Sequence, residues 1–168
     1  MLALSEDHWV QSSDEGGGRV LGEMCHFIDF ARFLSGSSIA SVHAHATGGN
    51  TSLCDDVSVS LNFSDGSLAT ILYTAQGDIS ASKERYEVFS SGRNGLIEDF
   101  KCLEISGAGQ RISEKSAANK GFHASLSEFS NAIANDGPLG IDEVELIDSS
   151  TATIAALESL RQGKSISI

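Results

Sequence analysis

The clearest alternation of apolar and polar residues lies in the middle of the chain. From Val57 to Phe63 every odd position is apolar and every even position is small and polar, which predicts a half-buried β-strand. Ser64-Asp65-Gly66-Ser67 then supplies turn residues, and the run from Leu68 to Ala75 predicts the second strand of an antiparallel hairpin. Both faces of this second run are fairly apolar, which is typical of a central strand covered on both sides.

Weaker strand patterns lie on both sides of this hairpin. The run from Ile39 to Ala46 alternates less cleanly, and the runs from Glu84 to Ser90 and from Gly95 to Phe100 flank a glycine-rich turn. A short strand from Cys102 to Ile105 is followed by an irregular polar stretch from Ser106 to Lys120. Together these runs predict an antiparallel meander in the middle of the chain.

Helical spacing of apolar residues occurs towards both ends of the chain. Apolar residues recurring at i, i+3, i+4 and i+7 predict a first helix from roughly Arg19 to Leu34, closed by Gly36 as a left-handed cap. The same spacing predicts a second helix from Phe122 to Ile133, which Asn135-Asp136-Gly137-Pro138 stops.

The third helix carries its own start and stop signals. Asp142 is placed to cap it, Glu145 stands three residues later as in a capping box, and Gly163 ends it. A helix, a meander and two further helices predict an α+β fold in a single domain spanning residues 1–168. We expect a mostly antiparallel open sheet with helices packed on one face and the other face available for dimerisation.

Charge and cysteine content narrow the class of protein. The 168 residues include 11 Lys and Arg against 23 Asp and Glu, a net charge of −12, which argues against a nucleic-acid partner. No apolar run approaches the ~20 residues of a membrane span, and the first residues lack the basic start of a secretory signal. Cys25, Cys54 and Cys102 have no CxxC spacing, which is typical of reduced thiols. We therefore expect a cytoplasmic protein without a membrane partner.

Gly107-Ala108-Gly109 is a candidate dinucleotide-binding turn because it follows a predicted strand. The third glycine of the G-x-G-x-x-G fingerprint is replaced by Ile112, and the following residues have no apolar stripe for a helix packed on a sheet. The segment is therefore interpreted as a glycine turn, and no cofactor-binding residue is predicted in this chain.

Two histidines on one strand are candidate metal ligands. His43 and His45 share a strand face, and Cys54, Asp55 and Asp56 follow within a few residues. A metal site needs three or four converging ligands, and only the histidine pair has a fixed geometry here. The pattern favours a polar strand face, so no metal site is predicted.

The start of the first helix is the most informative segment for chemistry. The glycines at 16–18 let the backbone approach a ligand or another domain. His26 lies one helical turn after Gly22 and one turn before Asp29, so Asp29 could orient the imidazole and raise its pKa, as in a general acid/base. Spacing alone favours the plainer alternative of an exposed histidine with an ordinary acidic partner.

Several short segments are also similar in sequence to a known family. They are Trp9, Asp14 to Gly18, Gly22 to Asp29, Phe33 to Ser37, Asp55 to Val57, Phe63 to Ser67, Lys83 to Val88, Asp99-Phe100, Gly121 to His123 and Leu157 to Lys164. This string resembles the C-terminal substrate domain of the glucose-fructose oxidoreductase/inositol dehydrogenase/MocA (Gfo/Idh/MocA) family. It is most similar to the branch in which this module follows a zinc-alcohol-dehydrogenase-like domain.

The resemblance implies a function. In that family a Rossmann domain binds NAD or NADP and precedes the α+β substrate domain, so only the second half is expected in this sequence. The family histidine that matches His26 relays the proton during hydride transfer. Many members carry an aspartate four residues earlier, where this sequence has Gly22 followed by Glu23. By resemblance, the catalytic residues expected are His26 and Asp29, and the substrate-binding residues expected are Trp9, Arg19, Gly22 and Glu23.

Two hypotheses of different class remain at this stage. The first is the substrate-binding and dimerisation half of an NAD(P)-dependent oxidoreductase for a sugar or polyol, with a Rossmann domain in the same or another chain. The second is a free-standing, non-catalytic dimerisation or ligand-binding module. Both include a homodimer through the sheet face, and neither has NAD(P) bound by this chain alone.

Overall fold

The computed structural model describes residues 8–12, 14–48 and 55–168. Its helices are a 3-10 turn (Trp9–Gln11), a π-helical turn (Val20–Met24), α1 (Cys25–Ser35), α2 (Phe122–Ala134) and α3 (Glu143–Gln162). Its strands are β1 (Ile39–Ala46), β2 (Val57–Phe63), β3 (Leu68–Tyr73), β4 (Arg85–Ser90), β5 (Arg93–Glu98), β6 (Cys102–Gly107), β7 (Gln110–Lys115) and β8 (Ile166–Ser167). The described residues divide into two compact units, one reaching to Gly77 and resuming at Ile141, the other running from Asp78 to Gly140.

The first unit is an antiparallel sheet with helices on one face. Its strand order is β3-β2-β1-β8, and α3 packs on β1 while α1 packs on α3 and β3. The odd residues of β2 enter the core, and so do Val42 and Ala44 of β1 and Ile71 and Tyr73 of β3. The period of two in the sequence therefore separates a core face from an outer face, as alternation in a half-buried sheet requires.

An ion-pair network of Arg32, Glu145 and Asp148 connects the helices of this unit to each other and to the sheet. Arg32 of α1 pairs with Glu145 (2.5 Å) and Asp148 (3.3 Å) of α3. Asp148 also accepts from the backbone N–H of Ile39 at 3.2 Å. Because these groups are half-buried, one guanidinium fixes the start of α3 against α1 and the first residue of β1.

The second unit is a four-stranded meander with one helix in its chain segment. Its strand order is β4-β5-β6-β7, and every neighbouring pair is antiparallel. Ala108 and Gly109 both have positive φ, 52° and 75°, which is the geometry of a tight hairpin turn between β6 and β7. The prediction of a glycine turn at this position is confirmed.

The α+β class is confirmed, and several boundaries match the sequence pattern. β1 and β2 have the predicted ends, and α2 differs by one residue at its C-terminus. Gly36 and Gly163 end α1 and α3 with φ of 65° and 64°, as left-handed caps. Asp142 caps α3 by accepting from the Val144 N–H at 3.0 Å.

Other expectations need correction. The strands form two sheets and not one, and the stretch from Ser106 to Lys120 contains β7, whose exposed residues carry no apolar signal. Glu145 binds Arg32 rather than completing a capping box. β3 lies at the edge of its sheet, and its outer face is exposed at Leu68 (75%) and Leu72 (76%), so the expectation of a central strand covered on both sides is wrong.

The edge of the first sheet depends on one serine. β8 pairs only with Ser41 and Val42 of β1, so the Ala44 N–H lies beyond the end of β8. The Ser159 hydroxyl of α3 takes the place of the missing strand, accepting from Ala44 N–H (2.9 Å) and donating to the Lys164 carbonyl (2.6 Å). Ser159 is fully buried, so water cannot replace its hydroxyl.

We predict that Ser159→Ala lowers the free energy of unfolding by about 1–3 kcal/mol, because it leaves the buried Ala44 N–H without a partner. Ser150→Ala is the matched control, since Ser150 is exposed on the same helix and its loss should change the unfolding free energy by less than about 0.5 kcal/mol. Urea denaturation of the two variants and the wild type measures the difference. Equal midpoints for both variants would contradict the role of Ser159.

Candidate functional site

The glycine-rich segment folds back on the 3-10 turn that precedes it. A Cβ on Gly16 would lie 2.5 Å from the Val10 Cα and 2.6 Å from the Trp9 carbonyl oxygen, so no larger residue fits there. Gly17 and Gly18 have φ of 67° and 84°, which favours glycine. The Gly18 N–H donates to the Val10 carbonyl at 2.9 Å. These glycines therefore shape the entry into the helix by close backbone packing.

Arg19 lies at the centre of the site and is 1% exposed. Its Nη1 donates to the Tyr73 hydroxyl at 3.2 Å, and its Nε lies 3.2 Å from the Asp55 carboxylate. Gln11 donates to the same carboxylate oxygen at 2.7 Å. The guanidinium thus joins the helix entry to the strand that ends at Tyr73 and to the segment that leads into β2.

Tyr73 connects Arg19 to Glu23. The phenol donates to Glu23 Oε2 at 2.7 Å while it accepts from Arg19. Burial, together with the bond to Glu23, raises the pKa of Tyr73, so the hydroxyl stays protonated and remains a donor over the ordinary pH range. The network therefore runs from Asp55 through Arg19 and Tyr73 to a half-buried carboxylate on the π-helical turn.

The π-helical turn changes which residues face outward. Its hydrogen bonds span five residues rather than four, so the turn is wider than an α-helix, and such turns are frequent at functional sites. Gly22 and His26 are both exposed, whereas Glu23 is half-buried and Met24 is fully buried. Sequence spacing had assumed a regular α-helix from Arg19, and the wider turn was not predictable from it.

His26 lies on the first turn of α1, and its side chain is exposed. The Asp29 carboxylate, which the spacing predicted to orient this imidazole, accepts from the Ser149 hydroxyl of α3 at 2.7 Å. Asp29 therefore fastens α1 to α3. The imidazole keeps access to solvent, as a group that exchanges protons with a substrate requires.

The other residues expected to contact substrate differ in exposure. Trp9 is 59% exposed on the 3-10 turn, and Gly22 leaves an open surface on the π-helical turn. Arg19 is buried and holds the loops together. Sequence reasoning missed Tyr73, Ser149 and Gln11, since each is far along the chain from its partner and none belongs to a motif.

The Asp56 carboxylate binds the segment that follows β3. Its carboxylate accepts from the Thr74 hydroxyl (2.5 Å), the Ala75 N–H (2.9 Å) and the Gln76 amide (3.0 Å). These hydrogen bonds, that of Thr74 above all, lower the pKa of Asp56. Within the described residues no group of three or more histidine, cysteine and acidic side chains could hold a metal ion.

The cysteines contribute no disulfide in the described chain. Cys25 and Cys102 are free, half-buried thiols, and Cys54 lies outside the described residues. Burial raises the pKa of Cys25, so its thiol is a weak nucleophile at neutral pH. No helix in the described ranges combines the length and apolar character needed to cross a membrane.

Solved structures share this fold at low sequence identity. Aldose-aldose oxidoreductase from Caulobacter crescentus, crystallised with glycerol, is 16% identical with a TM-score of 0.82 over 99% of this chain and 52% of its own. Levoglucosan dehydrogenase, in complex with NADH and levoglucosan, is 16% identical with a TM-score of 0.81 over 96% and 53%. UDP-N-acetylglucosamine 3-dehydrogenase from Acidithiobacillus ferrooxidans is 20% identical with a TM-score of 0.71 over 83% and 46%.

These structures show the fold, and this chain spans about half the length of each of them. A search of curated proteins finds no match. The family model of the GFO/IDH/MocA C-terminal domain matches residues 2–97, which is more than half of the chain. The resemblance noted in the sequence is confirmed at this level, while the branch fused to a zinc-alcohol-dehydrogenase-like domain stays a prediction. The chain therefore belongs to the GFO/IDH/MocA family and contains its C-terminal domain.

Proposed function

We propose that this chain is the substrate-binding and dimerisation half of an NAD(P)-dependent oxidoreductase that acts on a sugar, a polyol or a related hydroxyl or carbonyl compound. The observation that carries the proposal is the exposed His26 on α1, directly after a π-helical turn held by Arg19 and Tyr73. An imidazole in this setting can take a proton from a substrate hydroxyl or return one to a carbonyl. Sugar dehydrogenases among the structural neighbours support the substrate class.

Glu23 is the second polar group of the proposed site. Its carboxylate is held by the Tyr73 hydroxyl at 2.7 Å, and carboxylates commonly bind sugar hydroxyls because they accept strong hydrogen bonds. Gly22 leaves space beside it, and the exposed indole of Trp9 offers an apolar surface for a sugar ring. These residues are the proposed substrate contacts, and Arg19 acts through Tyr73 by positioning Glu23.

The described residues do not fit the pyrophosphate of NAD(P). The Gly-x-Gly sequence at 107–109 is a hairpin turn between β6 and β7 and does not open a helix. The glycines at 16–18 precede a helix but follow a 3-10 turn and not a strand, so neither segment has the strand, glycine turn and helix that hold such a group. In the proposal the cofactor is held by a Rossmann domain in the same or another chain. When bound there, the nicotinamide supplies or accepts the hydride, and His26 of this chain moves the proton at the substrate oxygen.

A homodimer through the outer face of the first sheet is part of the proposal. Leu68 and Leu72 are each about three-quarters exposed on β3, opposite Asn62 and Ser58 of β2, and Ser60 lies between these two β2 residues on the same face. A face of short side chains flanked by two leucines can approach a second copy closely. Free thiols at Cys25 and Cys102 support a reducing, cytoplasmic location.

A free-standing module without turnover is the second candidate function. The hairpin geometry of residues 107–109 favours it for the chain alone, since no cofactor cradle is present there. Binding of a sugar by the isolated chain, without any effect of NADH, would favour this candidate. The following predictions separate the two.

We predict that His26→Ala lowers turnover about 100-fold or more in an enzyme that joins this domain to its nucleotide-binding domain, because a general acid/base is lost. The unfolding free energy should stay within about 0.5 kcal/mol, since an exposed histidine packs little. His123→Ala, an exposed histidine on α2, is the control with full turnover. Unchanged turnover in His26→Ala would contradict the proposed proton relay.

We predict that Asp29 acts on stability through Ser149. Asp29→Asn and Ser149→Ala should each lower the unfolding free energy by about 1–2 kcal/mol, because they remove a charge-assisted hydrogen bond. The double variant should lose less than the sum of the two effects. Urea denaturation of the four proteins measures this coupling, with the exposed Ser150→Ala as a control. Strictly additive losses would show that the bond contributes nothing.

We predict that the chain sediments as a dimer at micromolar concentration and that Leu72→Lys shifts it towards monomer, because a charge is buried in the proposed interface. Leu139→Lys is the matched control, since Leu139 is 56% exposed in the other unit. Sedimentation velocity over a concentration series measures both. A wild-type chain that remains monomeric at the highest concentration would overturn the proposed dimer.

A further inference from the structure

The outer face of the first sheet carries two histidines at its centre. His43 and His45 lie on β1, which has β2 on one side and β8 on the other. Their directly opposed neighbours on β2 are Ser60 and Ser58. The imidazoles therefore rise above a surface of short hydroxyl side chains, with His45 exposed and His43 half-buried.

The two imidazoles are close to one another. Their ring centroids are 4.3 Å apart, with an angle of 58° between the planes. Side chains two residues apart on a strand point to the same side, so the pair can present two nitrogens to one point in space. A His-x-His pair in this arrangement is a chelating pair for a transition-metal ion, which neutral imidazole nitrogen suits well.

One of the nitrogens is unsatisfied in the described chain. His43 Nε2 is buried, and no described group donates to it or accepts from it. Buried polar side-chain atoms almost always have a partner, and an exception calls for an ion or a water that satisfies it. A bound metal ion would be such a partner for this nitrogen.

Two imidazoles do not complete a metal site. Zinc in proteins takes four ligands in tetrahedral geometry, and the described residues of one chain supply no group of three. A second copy packed face to face by a two-fold axis through β1 would bring a second His43 and His45 to the same ion. Packed sheets lie ~10 Å apart, which leaves an ion at the midplane within reach of imidazoles from both sides.

Charge also favours a cation between two copies of this chain. Each copy carries a net charge of −12, so association brings two polyanions together and their mutual repulsion weakens the dimer. A divalent cation at the interface offsets part of that repulsion. The two serines opposite the histidines are too short to block the approach of the second sheet.

We propose that His43 and His45 form a half-site for a divalent transition-metal ion, such as Zn²⁺, and that the same two residues of a second copy complete it. The inference rests on the proposed dimer through the outer sheet face and adds a ligand to it. It assigns the ion a structural role in association, separate from the chemistry at His26.

Zinc binding and association, measured on the chain without an affinity tag, test the site. Calorimetry with Zn²⁺ should give about one ion for every two chains, as four shared ligands require, and Co²⁺ should show the intense visible bands of tetrahedral coordination. His43→Gln and His45→Gln should each abolish binding. His123→Gln is the matched control, since His123 is exposed on α2, and it should bind as the wild type does.

Sedimentation separates this inference from the dimer itself. Zn²⁺ should tighten the wild-type dimer and chelation by EDTA should loosen it, because an ion that binds only the dimer stabilises it. Neither histidine variant should respond. A dimer in EDTA that binds no zinc would overturn the metal site and leave the dimer standing, and a monomer under both conditions would overturn both. One ion per monomer, or loss of binding in Cys54→Ser, would overturn the shared four-imidazole site.

Discussion

A guanidinium with only 1% of its surface exposed must find its charge and hydrogen-bond partners inside the protein. Arg19 finds them in Asp55 and Tyr73, and its burial fixes where the helix entry, the approach to β2 and the end of β3 meet. Removing one partner from a buried pair leaves an uncompensated charge, which commonly costs about 3–5 kcal/mol. The position of the π-helical turn, and with it the exposure of His26, depends on this one side chain.

The same network explains why an exposed histidine can sit in a defined place. His26 has no hydrogen bond of its own to Asp29, whose carboxylate binds Ser149. Its position comes from the backbone of α1, which Asp29 holds against α3 on one side and which Tyr73 holds through Glu23 on the other. A rigid backbone with a free imidazole suits a proton relay, because the ring must reach both substrate and solvent.

The outer face of the first sheet has fewer contacts within the unit than its core face. Its core face is closed by α1 and α3, whereas Leu68 and Leu72 on its outer face are about three-quarters exposed. A sheet with one closed and one open apolar face is incomplete as a monomer in water. The proposed substrate site at the helix entry and the proposed association surface on the outer face thus lie on opposite sides of one sheet.

The local elements and the resemblance to the family follow from short stretches of the amino-acid sequence. Alternation gave β1 and β2 their ends, since a half-buried strand must repeat every two residues, and Gly36, Asp142 and Gly163 marked helix ends through their own backbone and capping chemistry. The similarity of His26 to the family histidine was recognised from the residues beside it in one segment. Signals of this kind are local, so they can be interpreted without knowing what packs against them.

The partners of the polar side chains, in contrast, follow from the tertiary structure. Arg19 is buried with Tyr73, and Asp29 binds Ser149, 120 residues away in the chain. The strand β7 and the division into two sheets were also missed, because exposed polar strands carry no hydrophobic period. Burial and pairing of charged groups depend on tertiary contacts between segments that are distant along the chain. Local sequence patterns do not indicate which segments make such contacts.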